Sequence, residues 1–213
     1  MASKILIIGG LPESLTNFRG DLIKTFINEG HNVIAMSGVA TYKTISSIES
    51  LGAKFVSFPI QRNGLNPKVD ILTLISLYKT FKVEKPDIII SYTIKPVVWG
   101  GIAARLYGKA KFYGLITGLG FAFQKGGLKR NLIRKLASIL YRLGLNKASA
   151  VIFQNPDNMQ VFIDDSIVPR EKAYRVYGSG VNVSRYAFSD VPKSSTVFLT
   201  IARLLGEKGL REY

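Results

Sequence analysis

The chain has 213 residues, 47% of them apolar, with one histidine and no cysteine. That composition sustains a sizeable core and excludes a disordered chain, a disulfide framework, a thiolate zinc site and a cysteine nucleophile; it fits a reducing cytoplasm. Lys and Arg number 29 against 14 Asp and Glu, a net charge of +15, and a field of that sign attracts nucleic acid, anionic lipid or phosphorylated substrates.

In chain order, strand-like and helix-like segments alternate. Lys4–Gly10 is a short β-branched run ended by two glycines, too short for the core of a signal peptide. Residues 18–29 have helical spacing, with Phe18, Leu22, Phe26 and Ile27 on one side and Gly30 as the stop. A strand at 32–36, a helix at 42–51 and a strand at 53–58 follow. Pro67 opens the next helix, which runs to 83, and Pro86 precedes a strand at 87–91. Further along come a helix at 97–107, a strand at 111–116, a long helix at 128–145, a strand at 151–154, a short helix at 156–163 and a strand at 174–177. The strands are mostly continuous apolar runs, as in a parallel sheet covered on both faces. No segment reaches the roughly 18 apolar residues of a membrane span. The expected fold class is therefore α/β, a doubly wound parallel sheet.

Residues 184–195 lose this apolar character and read as a linker. Thr196–Ala202 then begins another strand, and Arg203–Gly209 follows before the end at Tyr213. The expected organisation is a Rossmann-like domain at 1–183, a linker at 184–195 and, at 196–213, the start of a truncated second domain. A lone strand cannot bury its own apolar face; the other reading is that this strand joins the first sheet.

Ligands of such sheets sit beyond the carboxyl ends of the strands, which directs attention to the loops Gly9–Asn17, Tyr92–Pro96, Thr117–Gly126, Gln154–Asp157 and Gly178–Asn182. None carries a dinucleotide fingerprint: Gly118-Leu119-Gly120 fails at Phe123 and Gly178-Ser179-Gly180 at Val183. A P-loop is absent as well, so nicotinamide-dependent enzymes and P-loop ATPases drop out. Gly9 and Gly10 suit either a tight turn or the close approach of a phosphate or sugar. Thr117–Gly120, with Phe121 and Phe123 nearby, suits a sugar or lipid neck, or else a glycine turn beside two core phenylalanines. Arg203 and Lys208 suit a diphosphate, or a solvated basic loop.

The stretch 125–147 holds Lys125, Lys129, Arg130, Arg134, Lys135, Arg142 and Lys147 and no acid, with leucine and isoleucine at helical spacing. This is the pattern of a helix lying on an anionic membrane surface. It is equally that of an amphipathic helix packed on the sheet with a basic outer side, and the two are compatible.

Taken together, several segments resemble glycosyltransferase family 4, the retaining transferases of the two-Rossmann GT-B fold. They are the glycine loop ending in Asn17-Phe18-Arg19, Gly30-His31, Thr117–Gly120, Phe153-Gln154-Asn155, Gly178–Asn182, and Ile201-Ala202-Arg203 with Glu207-Lys208-Gly209. The similarity spans nearly the whole chain and is closest to bacterial transferases that build capsule, O-antigen or other glycans on polyprenyl-diphosphate lipids. It implies that Gly9, Gly10, Asn17 and Arg19 lie on the acceptor side, with Thr117, Gly118, Leu119 and Gly120 near the transferred sugar. It also implies that Arg203 and Lys208 bind the donor diphosphate and stabilise the leaving group without a metal. No enzymic nucleophile stands out. The family's glutamate pair lies beyond Tyr213, so the 213 residues alone are expected to be inactive.

The resemblance further implies a nucleotide-sugar donor, UDP-linked, with no other cofactor, and a lipid-linked glycan acceptor. The location it implies is cytoplasmic, peripheral on the inner face of the cell membrane. Contact with the anionic surface falls to Lys125, Lys129, Arg130, Arg134, Lys135 and Arg142. Two other readings compete. A basic module without catalysis would bind nucleic acid or membrane, but the densest basic stretch is rich in leucine where single-strand binders interleave aromatics, so nucleic acid is not the expected partner. A GT-B-like nucleotide-sugar epimerase would rely on acids, bases and histidines in the cleft, and the single histidine, His31, stands between the first helix and the second strand.

Overall fold

A computed structural model describes residues 2–62, 64, 66–120, 123, 127–184, 186–190 and 197–202, with Leu128 and Lys129 described by backbone only. The chain divides into two units, Met1–Gly180 and Val181–Tyr213.

The first unit is a seven-stranded, wholly parallel sheet in the order β3-β2-β1-β4-β5-β6-β7. Its strands are β1 (Lys4–Ile8), β2 (Asn32–Ser37), β3 (Lys54–Ser57), β4 (Ile88–Tyr92), β5 (Lys111–Ile116), β6 (Ala150–Phe153) and β7 (Ala173–Arg175). The helices are α1 (Pro12–Asn17), α2 (Gly20–Asn28), α3 (Tyr42–Glu49), α4 (Pro67–Glu84), α5 (Ile94–Tyr107), α6 (Leu128–Leu145) and α7 (Pro156–Asp164). This is the α/β doubly wound sheet expected from the sequence.

Right-handed crossovers decide which helices cover which face. From β1 the chain steps outward through β2 and β3, then returns to β4 beside β1 and steps the other way. Alternate residues of β1 accordingly enter two cores. Ile5 and Ile7 meet Leu15, Ile23 and Ile48 of α1–α3. Leu6 and Ile8 belong to the core of Leu77, Phe81, Val97, Tyr141 and Phe162 from α4–α7.

On that second face α5 and α6 meet backbone to backbone. A Cβ on Gly101 would overlap the carbonyl oxygen of Gly144, and one on Gly144 would stand 2.8 Å from Val98 Cα. At the far end of α6, Arg134 grips Asp165 beyond α7 through Nη2 at 2.8 Å and Nε at 3.2 Å. Arg142 donates to the backbone carbonyls of Asp165 (2.8 Å) and Ser166 (3.0 Å).

Four local expectations need correction. The first loop contains the six-residue α1, too short and polar to show a period; Pro12 at its first position was the available signal. The helix read as 18–29 begins at Gly20 and buries Ile23, leaving Phe18 and Leu22 exposed. α5 starts three residues ahead of Val97, because Pro96 falls in the first turn, where a backbone N–H has no intrahelical partner to lose. Finally, residues 197–202, read as part of a new strand, carry no strand. A strand exists by pairing, and the described residues of Val181–Tyr213 offer it no ladder; Val197, Phe198, Leu199 and Ile201 are exposed.

Candidate functional site

The strand order reverses between β1 and β4, and the crevice outside their carboxyl ends is where such sheets bind ligands. Gly9 leaves β1 donating its N–H to the Met36 carbonyl at 2.9 Å. A Cβ on Gly9 would overlap the Oη and Cζ of Tyr92, the last residue of β4. Glycine is therefore required here by close approach. Gly10 follows, with the space for its Cβ bounded by Thr93 Oγ1 at 3.0 Å and by Arg62 Cγ and Pro96 Cγ at 3.9 Å. Thr93 itself is held at φ 67°, a conformation that costs a non-glycine residue of order 1–3 kcal/mol and collects at functional sites.

Tyr92 organises the crevice. Ser14 of α1 donates its hydroxyl to the Leu11 carbonyl at 2.5 Å, so the 2.8 Å contact between Ser14 Oγ and Tyr92 Oη is a bond donated by the tyrosine. Burial pushes the Tyr92 hydroxyl up to about 12, against the opposing pull of Ser14 and of Arg19. It is protonated throughout the neutral range. The Arg19 guanidinium stands 5.0 Å from the centre of the Tyr92 ring. Burial lowers the Arg19 pKa from its ordinary value, opposed by Tyr92.

Arg19 also reaches the exit of β7. Its Nη1 donates to the Phe18 carbonyl at 3.0 Å and to Ser179 Oγ at 3.1 Å, and Gln154 Nε2 after β6 donates to the same oxygen at 3.1 Å. Ser179 lies between Gly178 and Gly180, both at positive φ. The first loop, the end of β4, the end of β6 and the exit of β7 thus converge on one constellation.

Of the acceptor-side residues expected from sequence, Gly9, Gly10 and Arg19 belong to it. Asn17 is exposed at the end of α1. Thr117, Gly118, Leu119 and Gly120 follow β5 as a separate loop. Thr117 and Gly120 are exposed, and the space for a Cβ on Gly120 is bounded by Ile94 Cδ1 at 3.4 Å. The first turn of α5 borders both Gly10 and Gly120. Phe123 does not form a sugar platform: it packs against Tyr141 and Phe162 with ring centres 6.1 and 5.7 Å apart. Phe121, Lys125, Arg203 and Lys208 lie outside the described residues.

Sequence reading reached the loops but not the roles of Ser14, Tyr92 and Ser179, since no motif marks a tyrosine whose partner is a missing side chain. Nor did it single out the ion pair between Asp70 Oδ1 and Lys95 Nζ, 2.8 Å apart and largely buried between the first turns of α4 and α5. Among the described residues no group of three or more His, Cys, Asp or Glu could hold a metal ion, and no helix is long and apolar enough to cross a membrane.

On α6 the structure separates the two faces that the sequence left together. Tyr141, Gly144 and Leu145 pack inward. Leu132, Leu136, Ile139 and Leu143 form an outward ridge, exposed by 69%, 42%, 41% and 44%. Arg130, Lys135 and Lys147 are exposed as well. Of the cations expected at a membrane, Arg134 bonds the Asp165 carboxylate and Arg142 the backbone carbonyls of Asp165 and Ser166, so both also tie α6 to the segment that follows α7.

Residues 4–155 match the sequence profile of the family described as glycosyl transferase 4-like. The chain belongs to this family. A relative of this glycosyl transferase 4-like chain, the N,N'-diacetylbacillosaminyl-diphospho-undecaprenol alpha-1,3-N-acetylgalactosaminyltransferase of Campylobacter jejuni, is 26% identical across 94% of this chain and 56% of its own length. The chain therefore spans about half the length of that curated relative. Among solved structures, Anabaena HepE in complex with UDP and glucose superposes with a TM-score of 0.62 at 17% identity, over 88% of this chain and 47% of that one. UDP-GlcNAc 2-epimerase from Neisseria meningitidis bound to UDP-GlcNAc gives 0.57 at 14%, over 83% and 47%. Fold alone is thus shared with an epimerase; it is the family match that makes this glycosyl transferase 4-like chain a transferase relative.

Proposed function

We propose that the chain is the acceptor-side part of a retaining glycosyltransferase that moves a hexose or N-acetylhexosamine from a UDP-linked sugar to a polyprenyl-diphosphate-linked glycan. Glycosyl transfer is supported by the family, and the lipid-linked acceptor by the Campylobacter relative's own acceptor. The observation on this chain that carries the reading is the outward ridge of α6, four exposed apolar residues with Arg130 and Lys135 beside them. Such a ridge lies at an anionic lipid surface with about 1 kcal/mol from each nearby cation. The protein would work peripherally on the inner face of the cell membrane.

In this reading Gly9, Gly10 and Arg19 face the acceptor, and Thr117–Gly120 lie near the transferred sugar. Arg203 and Lys208 neutralise the departing diphosphate without a metal, the same-face geometry of retention needing no protein nucleophile. The 213 residues alone would turn over no substrate.

Sedimentation with vesicles tests the membrane arm. The chain is expected to pellet with phosphatidylglycerol vesicles and not with phosphatidylcholine, with binding falling as salt rises. Leu136→Glu with Ile139→Glu should abolish pelleting. Unchanged pelleting of that variant, or retardation of single-stranded DNA at salt that releases the vesicles, would overturn the assignment.

A further inference from the structure

Arg19 is 6% exposed, yet no carboxylate pairs with it among the described residues. Its polar contacts are one carbonyl and one hydroxyl, and its Nε is buried without a partner. Glu13 and Asp21, the acids nearest in sequence, are exposed and make no ion pair with it. Buried charges are ordinarily paired, because an uncompensated one loses its hydration for no return. The ring beside it, Tyr92, carries no charge near neutral pH.

Ser179, exposed at the exit of β7, adds a second donor. Its oxygen accepts from both Arg19 and Gln154. A hydroxyl has two acceptor positions and one hydrogen. With both positions taken, the Ser179 hydrogen is the capacity that remains. A guanidinium with no counter-charge among the described residues and a hydroxyl free only to donate share one kind of complement, an oxyanion.

We propose that Arg19 and Ser179 bind the phosphoryl oxygens of a diphosphate at the crevice between β1 and β4, the oxyanion supplying the counter-charge that no described residue provides. A guanidinium presents several donors in a plane suited to phosphoryl oxygens. The source of the diphosphate, lipid-linked acceptor or nucleotide, is where this inference rests on the function proposed above. Because Ser179 sits between two glycines at positive φ, an occupied site would also fix the exit segment of β7.

The test is calorimetric titration of the 213-residue chain with inorganic diphosphate at low ionic strength, comparing wild type with Arg19→Met and Lys24→Met. The second variant removes an exposed cation and makes the same change in net charge. Arg19→Met should weaken binding at least about tenfold, the loss of one charged hydrogen-bonded contact. Lys24→Met should weaken it by less than about twofold, as expected of an exposed charge.

Thermal melts supply an independent readout. Without ligand, Arg19→Met should melt no lower than wild type, since it removes an unpaired buried charge. At equal concentration diphosphate should raise the wild-type midpoint by clearly more than that of Arg19→Met. If Arg19→Met does not fold, Ser179→Ala takes its place: it should weaken binding, and Ser179→Thr should restore it. Equal weakening by Arg19→Met and Lys24→Met, or no binding by wild type, would overturn the site and assign the attraction to the general field of the chain.

Geranyl diphosphate and UDP then separate the sources. Geranyl diphosphate is expected to bind and to depend on Arg19. Dependence on Arg19 for UDP but not for geranyl diphosphate would keep the oxyanion site and overturn the acceptor assignment.

Discussion

Gly9 and Tyr92 form a pair in which one partner is a missing side chain, and that arrangement can be measured. A Cβ on Gly9 would overlap Tyr92 Oη and Cζ and stand 2.9 Å from Cε1. Tyr92 has no easy retreat: it is buried at the end of a central strand, bonded to Ser14, with the Arg19 guanidinium against its ring. Overpacking of this kind costs about 1–3 kcal/mol, so Gly9→Ala should lose that much stability. Gly9 is not at positive φ, so alanine is conformationally acceptable and the cost is purely steric. In a Tyr92→Ala background the obstruction is gone. There Gly9→Ala should be neutral, or stabilising by up to about 1 kcal/mol through the unfolded chain. Urea unfolding of the four proteins gives the cycle, with an expected coupling of about 1–3 kcal/mol. If Gly9→Ala costs the same with and without the tyrosine ring, close approach is not the reason for glycine here.

Two further outcomes follow from buried groups. Burial raises the Tyr92 hydroxyl from 10.0 to about 12, so the folded state favours the protonated form. Its contribution is complete below pH 10 and is lost as pH rises from there through 12, about 2–3 kcal/mol for this group. Tyr141, fully buried, shifts in the same direction. Urea midpoints measured between pH 8 and 11.5 should fall steadily above 10, and less steeply in Tyr92→Phe. Asp70→Ala leaves Lys95 buried without its carboxylate and should cost about 3–5 kcal/mol, whereas Asp70→Leu with Lys95→Met should cost clearly less. The comparison is again by urea unfolding, and a double variant as unstable as the single would refute the argument.

The alternation of apolar runs with helical periods was enough to yield the sheet, because buried parallel strands and amphipathic helices write their environment directly into sequence. The places it failed share a cause: local rules there are overruled by what the chain meets in space. α1 has six residues and no period to detect. Phe18 and Leu22 have the spacing of a buried face, but the helix turns Ile23 inward. Thr196–Ala202 has the composition of a strand, and composition does not supply a neighbour to pair with. At the site, strand-end logic pointed to the loop of Gly9 and Gly10, and the family resemblance to Arg19. It could not show that Tyr92 fills the space Gly9 leaves, nor that Ser179, 160 positions away along the chain, receives the Arg19 bond. Likewise, charge counting placed Arg134 and Arg142 on one basic helix without revealing that Asp165 and Ser166 stood within their reach.

The contact between Gly101 and Gly144 has a geometric consequence. Helices that meet through side chains can roll or slide as rotamers rearrange. Two backbones in contact have no such slack, because any roll of α6 would drive its chain into α5 or open a gap between them. Leu132, Leu136, Ile139 and Leu143 consequently hold a fixed azimuth relative to the strand ends. Any flat surface that the ridge rests on meets the mouth of the crevice at a single inclination, set by two residues that have no side chains.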